Sequence, residues 1–226
     1  MKNVLYILLL LLLTASCSKD DYRNDGGVSD PHVNKTTYDF LKEHGSFDSL
    51  VRIIDHAGIK DIINSKVTLF VTSDYGIRDY VAAKKQEKIV EVGDENIKFS
   101  ITDIPKNELR DSMMIYVYDG AINRENLTTE NKYFTSKFGP IPNVRFNIKL
   151  RRTREYSDYV DYVDYLNFTK VIKSLDADEP DRNAIPENEL DRSFDCQTSG
   201  IITTTGIVHV LDNNHRLFFN RGKMAQ

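Results

Sequence analysis

The sequence lacks any clustered excess of positive charge, since its 226 residues carry a formal net charge of −4. Phosphate recognition needs grouped cations, so nucleic-acid binding is not expected. The densest basic stretch consists of Arg151, Arg152 and Arg154, and Glu155 and Asp158 follow it at once. This alternation of charge indicates a solvated strand end rather than a binding patch.

The sequence also lacks the common catalytic and metal-binding motifs. It contains no Gly-rich phosphate loop, no His-Glu-x-x-His and no Gly-x-Ser-x-Gly. Its histidines, at positions 32, 44, 56, 209 and 215, never fall at a metal-ligand spacing. We therefore expect no enzyme, no metal and no cofactor. The alternative is a hydrolase or glycan-modifying enzyme whose carboxylates meet only in the folded chain.

One long apolar run is present, at the N-terminus. Residues 4–13 are apolar throughout and follow Lys2, but they are too few to span a bilayer core, which needs about 20 residues. Small residues at 14–16 precede Cys17, as at the cleavage site of a secretory signal. The cysteine at this site resembles the lipobox of bacterial lipoproteins, which predicts a signal peptide over residues 1–16.

The lipobox resemblance implies that Cys17 is acylated and holds the protein in outer-membrane lipid. The residues Ser-Lys-Asp-Asp at 18–21 look like the signal that sends some lipoproteins to the outer leaflet, which predicts surface exposure. Residues 17–34 are polar after the cysteine and predict a flexible tether. An acylated Cys17 leaves Cys196 without a disulfide partner, so Cys196 is expected to be a small, half-buried apolar side chain.

From residue 35 onward the pattern predicts helices and then strands. Phe47, Leu50, Val51 and Ile54 form one apolar face of a helix, and Gly58 stands where a C-terminal cap belongs. Further helices are expected from Thr36, around residues 59–63, after Ser73 or Asp74, and at 109–115. Strands are expected at 67–71, 97–101, 116–118, 144–150, 171–172 and within 201–212, with an acidic loop at 176–191.

Four tyrosines recur at every third position with aspartates between them: Tyr156, Tyr159, Tyr162 and Tyr165. At 100° per residue most of them gather on one arc with Val160 and Val163, which favours a short amphipathic helix or a helical excursion over a strand. Exposed tyrosines beside carboxylates suit sugar stacking or an aromatic protein interface. The structural alternative is a stripe that covers a sheet.

Three segments, in this order, resemble a fasciclin-like domain: TTYDFLKEHGSFDSLVRIIDHAGIKDII, VTLFVTSDYGIRDY and GIITTTGIVHVLD. The resemblance implies a single α+β wedge over residues 35–220, with β-sheets packed on an N-terminal helical group, an extended insertion at about 151–195 and a tail at 221–226. Thr72, Val117 and Thr205 depart from the family pattern. The signature positions are Phe70, Thr72, Ser73, Asp74, Tyr116, Gly206, His209 and Asp212.

His209 is the signature residue with two readings. It could act as an acid or base near neutral pH, or it could be a packed, hydrogen-bonded ring that pins its strand to a neighbour. No nucleophile or carboxylate partner accompanies it in sequence, which favours the packed ring.

These features together predict a non-enzymatic binding or adhesion lipoprotein on the cell surface. Its expected partner is an extracellular glycan, a matrix protein or a TonB-dependent uptake complex to which it is an accessory. A purely structural role in the envelope is the further alternative.

Overall fold

The computed structural model describes residues 30–220, so Cys17, most of the tether and the tail at 221–226 lie outside the described residues. Within this range the chain contains α-helices and a sheet, which confirms the predicted α+β class. The α-helices are α1 (Thr37–Glu43), α2 (Asp48–Ala57), α3 (Lys60–Ile63), α4 (Asp74–Val92) and α5 (Lys106–Met113). No helix between residues 30 and 220 has the length and apolar content of a bilayer span.

The strands form one hydrogen-bonded order of seven, β2-β1-β7-β6-β5-β4-β3. They are β1 (Val67–Val71), β2 (Val117–Asp119), β3 (Tyr133–Phe134), β4 (Val144–Thr153), β5 (Val163–Ile172), β6 (Arg192–Ile202) and β7 (Gly206–Leu211). β1 and β7 pair in parallel, and the other neighbouring pairs are antiparallel. β5 and the start of β6 fall within residues 151–195, so much of the predicted insertion belongs to the sheet.

The helical group follows from sequence signals at the helix ends and on one face. Thr36 caps α1, and its side chain accepts a hydrogen bond from the Asp39 N–H. Gly58 ends α2 in the left-handed conformation at φ +67°, which glycine adopts without strain. The predicted face of α2 is buried in the core, where each large apolar side chain contributes about 1.5–3 kcal/mol.

The parallel contact between β1 and β7 lies one strand in from the β2 edge of the sheet. Phe70 is directly opposite His209 in the register, so the two signature segments pair with each other. Gly206 permits this approach, because a Cβ there would lie 2.2 Å from the Val67 carbonyl oxygen. The core around Phe70 is rich in aromatic rings, including Phe168 at 4.6 Å and Tyr118 at 5.7 Å between centroids.

Two expectations about local structure are wrong: the strand at residues 97–101 and the start of ordered structure at Lys35. Residues 97–101 form no strand: they run irregularly into a 3-10 turn at Ile101–Asp103, where Ser100 and Asp103 make a capping box. The reciprocal hydrogen bonds of that box satisfy the backbone locally, and a neighbouring strand is not needed. Ordered pairing also begins before Lys35, since the Val33 N–H donates to the Ile202 carbonyl and the Ile202 N–H to the Pro31 carbonyl.

Candidate functional site: the β4–β5 hairpin tip

The β4–β5 hairpin extends beyond the strands on either side of it. β4 and β5 pair from Val144↔Ile172 to Thr153↔Val163. β3 meets β4 only at residues 146 and 147, and β6 meets β5 only at residues 167–170, within the described chain. We call residues 151–165, which extend past both neighbours, the hairpin tip.

Two arginine–carboxylate pairs fix the base of the hairpin tip. Arg152 and Asp164 are opposite each other in the register, and Nε and Nη2 of Arg152 each donate to an oxygen of Asp164 at 2.8 Å. Arg151 donates from Nε to both oxygens of Asp195 on β6, at 2.9 and 3.0 Å. Bidentate pairs restrict orientation as well as distance. The Arg152–Asp164 pair joins the two strands of the tip, and the Arg151–Asp195 pair ties the tip to β6.

The carboxyl groups of these pairs are stabilised in their charged forms. The hydrogen bonds from Arg152 lower the pKa of Asp164. Burial alone would raise the pKa of Asp195, but hydrogen bonds from Arg151 and Asn167 leave it below its ordinary value. Both arginines are therefore engaged with carboxylates, and they do not form a free basic patch.

The tyrosines of the tip differ in how far they are exposed. Tyr159 is 87% exposed, and Tyr156 and Tyr162 are close to half exposed. The guanidinium of Arg152 lies 3.6 Å from the ring centroid of Tyr162, a cation–π contact that orients this ring. Tyr165 is half-buried, beneath Arg151 at 5.5 Å.

The predicted amphipathic helix over these tyrosines is wrong. The N–H groups of Tyr159 and Val160 both donate to the Tyr156 carbonyl, which makes a single turn, and β5 begins at Val163. Pairing with β4 satisfies the backbone hydrogen-bonding groups of residues 163–166, so these residues gain nothing by forming a short helix. Val and Asp are also poor helix formers and Val favours strands. The tyrosines are therefore spread over a turn and a strand end.

The hairpin tip can bind a partner through exposed tyrosines, of which Tyr162 is held by Arg152. Tyrosine presents a large apolar face with a polar hydroxyl, and it is enriched at protein interfaces. The exposed large side chains here are Tyr156, Tyr159, Val160 and Tyr162. Acidic residues at 155, 158 and 161 surround them. This arrangement favours recognition of a surface that offers an apolar pocket with donors or cations at its rim.

His209 has the packed, hydrogen-bonded role. Its side chain is fully buried; Nδ1 accepts from the Gly200 N–H at 3.0 Å and Nε2 is 2.9 Å from the Ile122 carbonyl oxygen. Burial lowers its pKa to about 4, so the ring is neutral at physiological pH. It connects β7 to the β6 backbone and to the segment after β2, which are structural contacts.

The remaining signature residues hold the loops that follow β1 and β7. Thr72 Oγ1 donates to the His215 carbonyl at 3.1 Å, and Ser73 Oγ donates to Asn213 Oδ1 at 2.7 Å. Asp212 Oδ1 accepts from the Asn214 N–H at 2.9 Å, which closes the turn after β7. Ser73 precedes α4 as predicted, but its hydroxyl is bonded to Asn213 and does not cap the helix.

Tyr116 belongs to a buried polar pair that the sequence did not reveal. Its hydroxyl is 2.8 Å from Nε2 of His215 and accepts from the Phe218 N–H at 2.8 Å. Burial lowers the pKa of His215 to about 3. His215 follows two asparagines, a context that predicts only a turn, and its burial results from the rings of Phe194 and Phe219 packed around it.

Carboxylates do meet in the acidic loop, at Asp176 and Asp191. The Asp176 N–H donates to Asp191 Oδ2 at 2.9 Å, and the Asp191 N–H donates to both oxygens of Asp176 at 3.2 Å. Burial raises the pKa of Asp191. Because each carboxylate receives the backbone N–H of the other residue, the pair closes the loop between β5 and β6.

Cys196 is a buried thiol, and it is not part of a metal site formed by the described residues. Cys196 is more buried than expected, and burial raises the pKa of its thiol well above the ordinary value, which keeps it unreactive. Between residues 30 and 220 no group of three or more histidine, cysteine, aspartate or glutamate side chains is arranged to hold a metal ion.

Comparisons with known proteins give a structural likeness and no match in sequence. Neither the family models nor the curated proteins yield a match to this chain. A solved structure of a FAS1 domain pair from the insect cell adhesion molecule fasciclin I is similar, with a TM-score of 0.43 and 15% sequence identity. The likeness covers 79% of this chain and 47% of that one, so this chain spans about half the length of the insect structure.

Proposed function

We propose that this protein is a surface-anchored, non-enzymatic binding or adhesion lipoprotein with a fasciclin-like domain, and that it docks a protein partner through the hairpin tip. The observation that carries the proposal is the set of exposed tyrosines, one of them 87% exposed, on a hairpin fixed by two bidentate ion pairs. Aromatic anchors held in place before binding lose little conformational entropy on association.

A protein partner fits the tip better than a catalytic role does. The tyrosines stand on a protruding turn, where they can enter a pocket of another protein. The carboxylates of the tip that could act in chemistry are engaged with arginines or exposed to solvent. Candidate partners are a matrix protein and a TonB-dependent uptake complex in the same membrane, with the acyl anchor at Cys17 keeping the domain near either one.

Replacing Cys17 by serine should release the protein from the membrane. The acyl chains supply about 0.8 kcal/mol per buried methylene, and nothing else in the proposal anchors the chain. The wild-type protein is expected to partition into the detergent phase of Triton X-114 and to incorporate labelled palmitate, whereas Cys17→Ser should appear in the aqueous phase without label. A variant that stays in the membrane fraction would contradict the anchor.

Replacing Tyr159 by alanine should weaken partner binding by about 10- to 30-fold, the effect of losing a well-placed aromatic anchor. A photo-crosslinking amino acid introduced at position 160 of the full-length protein in intact cells identifies the partner. Affinity for that partner is then measured for the wild type, Tyr159→Ala and Tyr162→Ala.

The matched control is Tyr133→Ala, because Tyr133 is 40% exposed and also lies under an arginine, Arg145, at 4.3 Å, but on β3. This variant should bind like the wild type. Equal losses at positions 133 and 159, or no crosslink from position 160, would refute docking through the tip.

A further inference from the structure

A second candidate site lies at the carboxyl edge of the parallel strands β1 and β7. Both strands run to the same edge, where Val71 pairs with Val210. The chain then leaves in two loops, one into α4 and one into the turn at residues 212–215. Ligand sites in open α/β sheets recur outside the carboxyl ends of parallel strands. Here the loops enclose a cavity of about 460 Å³, a size in the usual range of small-molecule sites.

The walls of this carboxyl-edge cleft are fixed by hydrogen bonds between distant segments. The bond from Ser73 Oγ to Asn213 Oδ1 joins the loops after β1 and β7. Asp74 Oδ1 accepts from the Ser49 N–H at 2.8 Å, and the Asp74 N–H donates to the Ser46 carbonyl at 3.2 Å, which ties α4 to the α1–α2 loop. The cleft is therefore formed before any ligand binds.

Gly76 also helps to fix the shape of the cleft before a ligand binds. A Cβ at Gly76 would lie 2.2 Å from the His215 carbonyl oxygen and 2.4 Å from Thr72 Oγ1. Only glycine lets the first turn of α4 approach the 212–215 turn this closely. The two sides of the cleft are thus held together at their base.

The lining combines an apolar floor with an uncharged polar rim. Phe47 and Val210 are buried at the floor. The rim carries amides and hydroxyls: Gln197, Asn213, Ser46 and Thr198. Gln197 is placed there by the bulge in β6 between Cys196 and Thr198. Two aromatic side chains complete the walls, the 57%-exposed Tyr75 and the ring of His44, which packs on Phe47 at 5.0 Å.

The lining carries little charge, which favours an uncharged ligand over an anion. Within the described chain the lining contains one carboxylate, Asp74, and no lysine or arginine. The guanidinium of Arg78, which is not part of the lining, lies over the Tyr75 ring at 5.2 Å and pairs with Asp79 at 3.6 Å. Phosphates and other anions would therefore lack a cationic partner. Amides and hydroxyls above aromatic rings instead match a neutral ligand with many hydroxyl groups.

We propose that the carboxyl-edge cleft binds a short, uncharged oligosaccharide. Tyr75 and His44 supply ring faces for the C–H surface of a sugar. Gln197 donates and accepts hydrogen bonds to neighbouring sugar hydroxyls, and Asn213 offers Nδ2, since its Oδ1 is bonded to Ser73. The site is separate from the hairpin tip, so saccharide binding and partner docking can each exist without the other.

The test is a titration of the full-length protein, in a zwitterionic detergent without sugar head groups, by isothermal titration calorimetry. The probes are maltotriose, cellotriose, mannotriose, xylotriose and N-acetylchitotriose, with trigalacturonate as the acidic counterpart. At least one neutral probe should bind with a Kd below about 1 mM. Tyr75→Ala and Gln197→Ala should each weaken that binding by about tenfold, through loss of a ring contact and of amide hydrogen bonds respectively.

Matched controls are Tyr159→Ala and Gln86→Ala, which remove an exposed tyrosine and an exposed glutamine outside the cleft. Both should bind the saccharide like the wild type, and Tyr159→Ala should lose only the partner of the hairpin tip. The proposal is overturned if no neutral probe binds with a Kd below about 1 mM, if the cleft variants bind unchanged, or if trigalacturonate binds in preference. None of these results would bear on docking through the tip.

Discussion

Lowering the pH from 7 to 5 should remove about 4 kcal/mol from the free energy of unfolding, because two histidines are buried in the neutral form. Their folded pKa values are about 4 for His209 and about 3 for His215, whereas an unfolded histidine has a pKa of about 6.5. Between these values the unfolded state binds more protons than the native state, so stability falls as the pH falls.

The contacts around the two histidines also indicate that protonation destabilises the folded state. Nδ1 of His209 accepts the Gly200 N–H, so a proton on Nδ1 would place two donors face to face. His215 has its Nε2 on the Tyr116 hydroxyl and is packed among the rings of Phe194 and Phe219, so water cannot hydrate a charge on it. Protonation of either ring therefore costs free energy in the folded state that it does not cost in the unfolded state.

Urea unfolding at half-unit steps from pH 8 to pH 4.5 measures this effect. The slope of the unfolding free energy against pH should be near zero above pH 7. Near pH 5 it should approach about 2.7 kcal/mol per pH unit, which is 1.36 for each histidine. His215→Gln should reduce the slope by about half. Asp164 and Asp195, whose pKa values lie below 3.8, lose their contribution only at lower pH. A flat profile between pH 7 and 5 would show that both rings bind protons in the native protein as readily as in the unfolded chain, which contradicts the lowered pKa values.

Truncating Phe168 to alanine should destabilise the protein by about 3–5 kcal/mol, the usual range for a buried phenylalanine. Phe168 is fully buried and its ring lies against Phe70 at 4.6 Å, Phe146 at 5.6 Å and Phe219 at 5.9 Å. These rings come from β1, β4 and the segment after β7. A cavity at this point would remove contacts from all three segments at once.

The melting temperature of Phe168→Ala is expected to fall by about 10–15 °C for a domain of this size. Phe138→Ala is the matched control, since Phe138 is 47% exposed and its truncation should change the free energy of unfolding by less than about 0.5 kcal/mol. A loss below about 1 kcal/mol at position 168 would mean that the aromatic cluster can close around the gap.

The elements predicted correctly are those whose signals are local. β1 has the predicted bounds, because Val67–Val71 is a continuous run of strand formers that is buried throughout. Helix α2 follows from its apolar face and its glycine cap, and both act within a few residues. The early strand and the His209 strand were also expected to share one interior, and their direct pairing confirms this.

The parts that sequence reasoning missed depend on partners far away in the chain. The tyrosine repeat is helical in period, but Arg152 and its neighbours on β4 pair with residues 163–165 and impose a strand. The first half of β6 mixes charged, polar and apolar residues, and its pairing with β5 and β7 determines its conformation. The carboxyl-edge cleft joins Ser73 to Asn213, a contact that no local pattern predicts.

The position of β7 between β1 and β6 has a consequence for how the domain is made. β1 is translated early, but its parallel neighbour is the last strand of the sheet. The apolar side chains of β1 therefore remain without this neighbour until most of the chain has been synthesised. Pairings this distant in sequence are slow to form. The domain cannot complete its sheet until residue 211 is available for pairing, and a chaperone that shields β1 during that interval would protect it from aggregation.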